Sequence, residues 1–148
     1  MENYQCNQFR ALTYFDYSEK QSHNTPGKSP RVYLEYCLEQ IEKHERDIQA
    51  FVTLQANDAR NQAYESTIRW RTGRQLSSID DMPIRIKDLI ETEDMPTEMG
   101  CEAFKGNSPG NDNPLVWALR QAGCVILGKT VTAELGGAHP GPTKIHLI

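Results

Sequence analysis

A chain of 148 residues with a formal net charge of −4 holds one domain or a piece of one, and its acidic balance argues against a nucleic-acid footprint. With 38% hydrophobic and 24% charged residues it can bury a core, unlike a disordered composition, yet no apolar run is long enough to cross a bilayer. The N-terminus lacks the basic start and apolar stretch of a secretory leader, and four scattered cysteines (Cys6, Cys37, Cys101, Cys124) without a C-x-x-C pair read as reduced thiols of a cytoplasmic protein.

Residues 1–28 are polar and aromatic without clean periodicity and form a separate N-terminal segment, closed by the turn-rich "HNTPGKSP". Residues 29–148 form the domain. Ser29 is placed to cap a helix with Pro30 at its first position, and Val32, Leu34, Cys37, Leu38 and Ile41 mark its apolar stripe as far as about Arg46. "AFVTL", residues 50–54, reads as a short strand. Ala56, Ala59, Ala63, Ile68 and Trp70 predict a second helix ending near Gly73, with small residues for close packing. In "MPIRIK" the alternation puts Met82, Ile84 and Ile86 on one side of a half-buried strand and Arg85 and Lys87 on the other. Residues 92–113 are rich in Pro, Gly and Asn, a loop long enough to suggest a functional role. Asn113 and Pro114 open a third helix with Leu115, Val116, Leu119 and Ala122 on its buried stripe and Gly123 at its end. "CVIL", residues 124–127, has no polar alternation and predicts a strand buried on both faces, after which "GKTVTAELGG" leaves the sheet toward a further helix. Strands and helices alternate, so the fold class is α/β with an at least partly parallel sheet.

"GCVILGKT", residues 123–130, satisfies the phosphate-loop pattern G-x-x-x-x-G-K-[ST]. That chemistry needs a flexible loop whose backbone amides curl around phosphates after a strand. Here the middle residues are Cys, Val, Ile and Leu, they are the strand itself, and a helix precedes Gly123. A nucleotide-binding α/β protein is therefore the weakest of the readings considered.

Three stretches taken together resemble the amidase signature family: "MPIRIKDLIETEDMPTEMG", then "NPLVWALRQAGCVILGKTVTAEL", then "HPGPTK". Their order and spacing match that family's K-D strand, its Pro-Thr stretch closed by glycine, and its helix and strand ending in G-K-T before an acidic residue, over roughly Ser29 to Lys144. The resemblance implies the N-terminal part of a mixed-sheet fold that hydrolyses carbon–nitrogen bonds of small-molecule amides with a serine nucleophile, a bridging serine in a cis peptide, and a lysine, using no metal or cofactor. Lys87, in its K-D context with Asp88, matches the lysine and would be the general base. A lysine accepts a proton only when neutral, so such a base needs burial and nearby donors to bring it down from the ordinary value of about 10.4.

The Gly- and Ser-rich segment that supplies both serines of the family does not occur in these residues; "IHLI" follows Lys144. The expectation is an N-terminal portion of an amidase that is inactive alone, with an open sheet edge prone to self-association. Cys101 stands where the family usually has Ser, and Thr132 where many members have Met. Cys101 as a substitute nucleophile would need a base, and His139 and His146 are the near ones in sequence. The competing reading is a non-catalytic remnant or interaction piece.

Overall fold

The structure, a computed structural model, describes residues 29–137 and 139–144. The N-terminal segment 1–28, with Cys6, and His146 lie outside the described residues. Helix α1 runs Pro30–Ile48, with the Ser29 hydroxyl accepting from the Val32 amide at 3.3 Å and proline at its first position. It ends where Gln49 turns left-handed at φ +57° and its amide returns to Glu45. Strand β1 is Phe51–Leu54 and helix α2 is Ala56–Arg71. Ala59 and Ala63 are fully buried, which brings α2 close to α1. Strand β2 is Pro83–Lys87, helix α3 is Pro114–Gln121, and strand β3 is Val125–Thr130. Asn113 caps α3 by accepting from Leu115 at 3.0 Å.

Val32 and Leu115, assigned to apolar stripes, lie at the surface instead, and so does Ile68, which helped to mark α2; each is about half exposed. On α2 the true stripe continues through Ser66 and Thr67, at the i+3 and i+4 positions from Ala63. Ile68 is one residue further round and turns toward solvent.

The sheet has the order β1-β3-β2, with β3 antiparallel to β1 and parallel to β2. Strand β3 extends beyond the apolar run: Gly128, Lys129 and Thr130 stay in the ladder with both neighbours rather than leaving it. After it comes only a short 3-10 turn, Glu134–Gly136, where a further helix was expected. Gly128 is required because a Cβ there would collide with the Thr53 carbonyl oxygen of β1. The glycine, lysine and threonine of the phosphate-loop match are therefore strand residues, and the nucleotide reading fails on geometry.

The central strand packs on both faces, as its sequence requires. Val125 and Leu127 meet Leu34, Leu38, Ala59 and Ala63 of α1 and α2. Ile126 meets Ile86, Met95 and Val116 on the other side. Among the described residues this cover comes from the helices and from Met95 of the 92–113 loop. That loop is well knit: the Thr97 amide donates to Asn107 O at 2.8 Å, the Asn107 side chain returns to Thr97 O at 3.0 Å, and Arg120 of α3 pairs with Asp94 and Asp112 at 2.7 and 2.9 Å. Thr92, Met95 and Thr97 within it are buried. Two outer strands, β1 and β2, leave the edges of this three-stranded sheet open among the described residues.

A second polar knot anchors the entry to β2. The Asp80 carboxylate, fully buried, accepts from Ser66 Oγ at 2.8 Å, from Arg69 at 2.7 and 2.8 Å, and from the Leu76 amide at 2.9 Å. Burial alone would raise its pKa, but Arg69, the Leu76 amide and Ser66 outweigh it and hold the carboxyl below its ordinary value. Gly123, at φ +88°, has no room for a side chain because a Cβ would lie 2.5 Å from Asp80 Oδ1.

Candidate active site

Strand β2 ends at Lys87. Ile86 is 3% exposed while Lys87 is open to solvent, so the alternation read from the sequence places them on opposite faces. Paired residues of adjacent strands share a face. Ile84 pairs with Ile126 and both join the second core cluster, whereas Lys87 pairs with Thr130 on the other side. The described residues build no closed apolar pocket around Lys87; its side chain faces water.

The next residue, Asp88, is 1% exposed. Its carboxylate lies 3.1 Å from the ammonium of Lys129, which is fully buried in β3. Lys129 also donates to Thr97 Oγ1 at 2.6 Å and to Pro96 O at 3.1 Å. The Glu98 amide donates to the Asp88 carboxylate at 3.2 Å, and the Met99 amide to Asp88 O at 3.1 Å. Two of the three stretches that carry the resemblance meet at this point: the K-D strand and Pro-Thr loop of the first, and the G-K-T strand of the second. The sequence reading singled out Lys87 and passed over Lys129. The signal was present: a lysine inside an otherwise apolar, doubly covered strand needs a buried acid to pair with.

What turns Lys129 inward is a bulge. Between the pairs Ile84–Ile126 and Arg85–Gly128, β3 advances two residues while β2 advances one, so Leu127 is the extra residue. Simple alternation from Ile126 would put Lys129 on the opposite face. The inserted residue flips the parity, and Lys129 pairs with Ile86 on the same side as Ile126.

Beyond this knot the loop turns sharply. Met99 and Gly100 both take positive φ, at +57° and +63°. A Cβ on Gly100 would stand 3.0 Å from Thr132 O, and the Leu135 amide donates to Met99 O at 2.9 Å, so the turn rests on residues 132–135. Gly100, Thr132, Glu134 and His139 line an open cleft of about 490 Å³ together with Phe51 and Val131. His139 Nδ1 lies 2.7 Å from Glu134 Oε2, and Cys101 also hydrogen-bonds to that carboxylate. His139 first and Cys101 second hold Glu134 below the ordinary carboxylate value. Cys101 is thus joined to a carboxylate, and His139 uses its Nδ1 on Glu134, which is not the thiol–imidazole pair that a substitute nucleophile requires.

No described serine is assembled with Lys87. Ser77 Oγ donates to Ala122 O at 2.7 Å, beside the start of β3, while Lys87 pairs with Thr130 at that strand's other end. Ser66 is committed to Asp80, and Ser108 is exposed in the polar loop. Among the described residues there is no group of three or more His, Cys, Asp or Glu side chains that could hold a metal ion, and no helix long and apolar enough to cross a membrane.

Comparison with known proteins gives one consistent answer. The Amidase family profile matches residues 33–141. A glutamyl-tRNA(Gln) amidotransferase chain of Chloroflexus aggregans is 37% identical over 95 residues, covering 64% of this chain and 20% of that protein. Its mitochondrial counterpart in Rattus norvegicus is 31% identical over 111 residues, covering 75% of this chain and 20% of its own length. Among solved structures, the native peptide amidase from Stenotrophomonas maltophilia superposes with a TM-score of 0.73 at 30% identity, over 84% of this chain and 26% of that one. The chain spans about a fifth of the length of the curated relatives it matches. With a family profile over most of its residues and a solved relative that shares its mixed sheet and flanking helices, this chain belongs to the Amidase family.

Proposed function

We propose that this chain carries the lysine of a serine-type amide hydrolase and that Lys87 is the general base of that reaction. The observation that carries the reading is the meeting of the K-D strand, the Pro-Thr loop and the G-K-T strand at the end of β2, with Lys87 presented to solvent one residue from the point where they lock together. In the proposed chemistry Lys87, once neutral, takes a proton relayed through a bridging serine. The nucleophilic serine attacks the amide carbonyl, and the amine leaves as the acyl-enzyme forms. Both serines and the amides that would hold the oxyanion belong to a Gly- and Ser-rich segment that these 148 residues do not contain. The same segment would close over Lys87 and supply the desolvation that the open side of β2 lacks. The substrate class is a small-molecule amide. Three cysteines outside any disulfide, among the described residues, support a cytoplasmic site of action.

A chimera tests this directly. Residues 29–144 replace the matching part of the Stenotrophomonas maltophilia peptide amidase, and release of ammonia or amine from an amide substrate is followed. Lys87→Met should abolish turnover while leaving the chimera folded. An active Lys87→Met chimera would rule the assignment out. The closing of both sheet faces within this chain favours a second reading, a self-standing interaction module. On that reading the 148-residue chain is a monomer that unfolds in one sharp transition.

A further inference from the structure

We propose that the buried Lys129–Asp88–Thr97 knot positions Lys87, fixing the direction in which the end of an edge strand presents its ammonium. This rests on the reading of Lys87 as the working base. A fully buried ammonium is an expensive way to fill a strand position that leucine or methionine would fill without desolvation. Its three donors match three acceptors: Asp88 Oδ1 at 3.1 Å, Thr97 Oγ1 at 2.6 Å and Pro96 O at 3.1 Å. Asp88 is held by all of its polar groups. Its amide donates to Thr130 O at 2.9 Å, its carbonyl accepts from Met99, and its carboxylate takes Lys129 and the Glu98 amide. A residue clamped in three directions fixes the peptide that joins it to Lys87, and therefore the Cα–Cβ direction of Lys87. Strand β2 is an edge strand, and Lys87 itself is exposed. The bulge at Leu127 serves the same end, because without it Lys129 would face away from Asp88. The polar loop 96–99 is tied into the same knot, so the strand bearing Lys87 and the turn at Gly100 are set relative to one another by the Lys129 ammonium together with the Glu98 and Met99 amides on Asp88.

The test uses the 148-residue chain and needs no amide hydrolysis. Two quantities are measured: hydrogen exchange of the Asp88 amide, and acylation of the Lys87 ε-amine by N-hydroxysuccinimidyl acetate as a function of pH, with exposed Lys43 as internal reference. The double variant Lys129→Met with Asp88→Asn removes both charges together and so avoids a lone buried ion. It is expected to remain folded, to exchange the Asp88 amide at least ten-fold faster relative to the Val125 amide, and to change the ratio of Lys87 to Lys43 acylation rates at least three-fold across the profile. If the double variant does not fold, Thr97→Val, which keeps the ion pair and deletes one acceptor, carries the same test with a three-fold threshold on both readouts. Unchanged exchange, or faster exchange with an unmoved Lys87 profile, overturns the positioning role in either variant. Lys87→Met in the chimera judges the base itself, so the two failures are separable.

Discussion

Asp81 sits at φ +93° and is 3% exposed. Burial pushes its carboxyl up to about 7 from the ordinary 3.8. A carboxyl whose folded pKa is raised contributes stability that is fully present below its unfolded pKa and is lost as pH rises through the folded one. The window is therefore pH 4 to 7, with stability falling by up to about 1.4 kcal/mol for each pH unit in it. The ceiling on the loss by pH 7 is about 4 kcal/mol. Asp81→Asn keeps the shape and removes the titration. Asp81→Gly also removes the positive-φ cost of about 1–2 kcal/mol, offset by roughly 0.5–1 kcal/mol of extra unfolded-chain entropy. Urea unfolding at pH 4.5 and pH 8 measures both. Each variant should gain about 2–4 kcal/mol over the parent at pH 8, and Asn only about 1 kcal/mol at pH 4.5. If the difference between Asp81→Asn and the parent is the same at both pH values, the carboxyl is not buried in its charged form and the reasoning fails.

Three other outcomes are expected. Gly128→Ala should cost about 2–3 kcal/mol in the urea midpoint and loosen β1, because the methyl meets the Thr53 carbonyl; a change under about 0.5 kcal/mol would refute the close approach. Arg69→Gln should cost about 3 kcal/mol at pH 7 by leaving the Asp80 charge without its cation. Asp80's stabilisation is present above the ordinary carboxylate pKa and is lost as pH falls through its lowered folded value, so the penalty should shrink in acid, and an acid-unfolding curve identical to the parent's would contradict it. Assayed alone, the 148-residue chain should leave simple amides intact and take no fluorophosphonate label, since no described serine stands beside Lys87; stoichiometric labelling lost on Ser108→Ala would overturn this.

Local pattern carried much of this protein. The Ser29-Pro30 and Asn113-Pro114 caps start their helices as read, because a cap is a contact between residues two or three apart and needs nothing distant. The alternation of residues 82–87 separated Ile86 from Lys87 for the same reason: strand parity is a property of consecutive residues. The unbroken apolar run of β3 announced a strand covered on both faces. Tertiary structure alone decided what provides that cover, where Lys129 points and what holds Asp88. Each of these depends on groups about 10 to 90 residues apart in the chain, and on a one-residue bulge whose only consequence is the parity of the residues after it. The surface positions of Val32, Ile68 and Leu115 belong to the same class. Hydrophobicity marks a residue as able to be buried, but which side of a helix meets the sheet is settled by the packing of Ala59, Ala63 and Val116 against β3 and its neighbours.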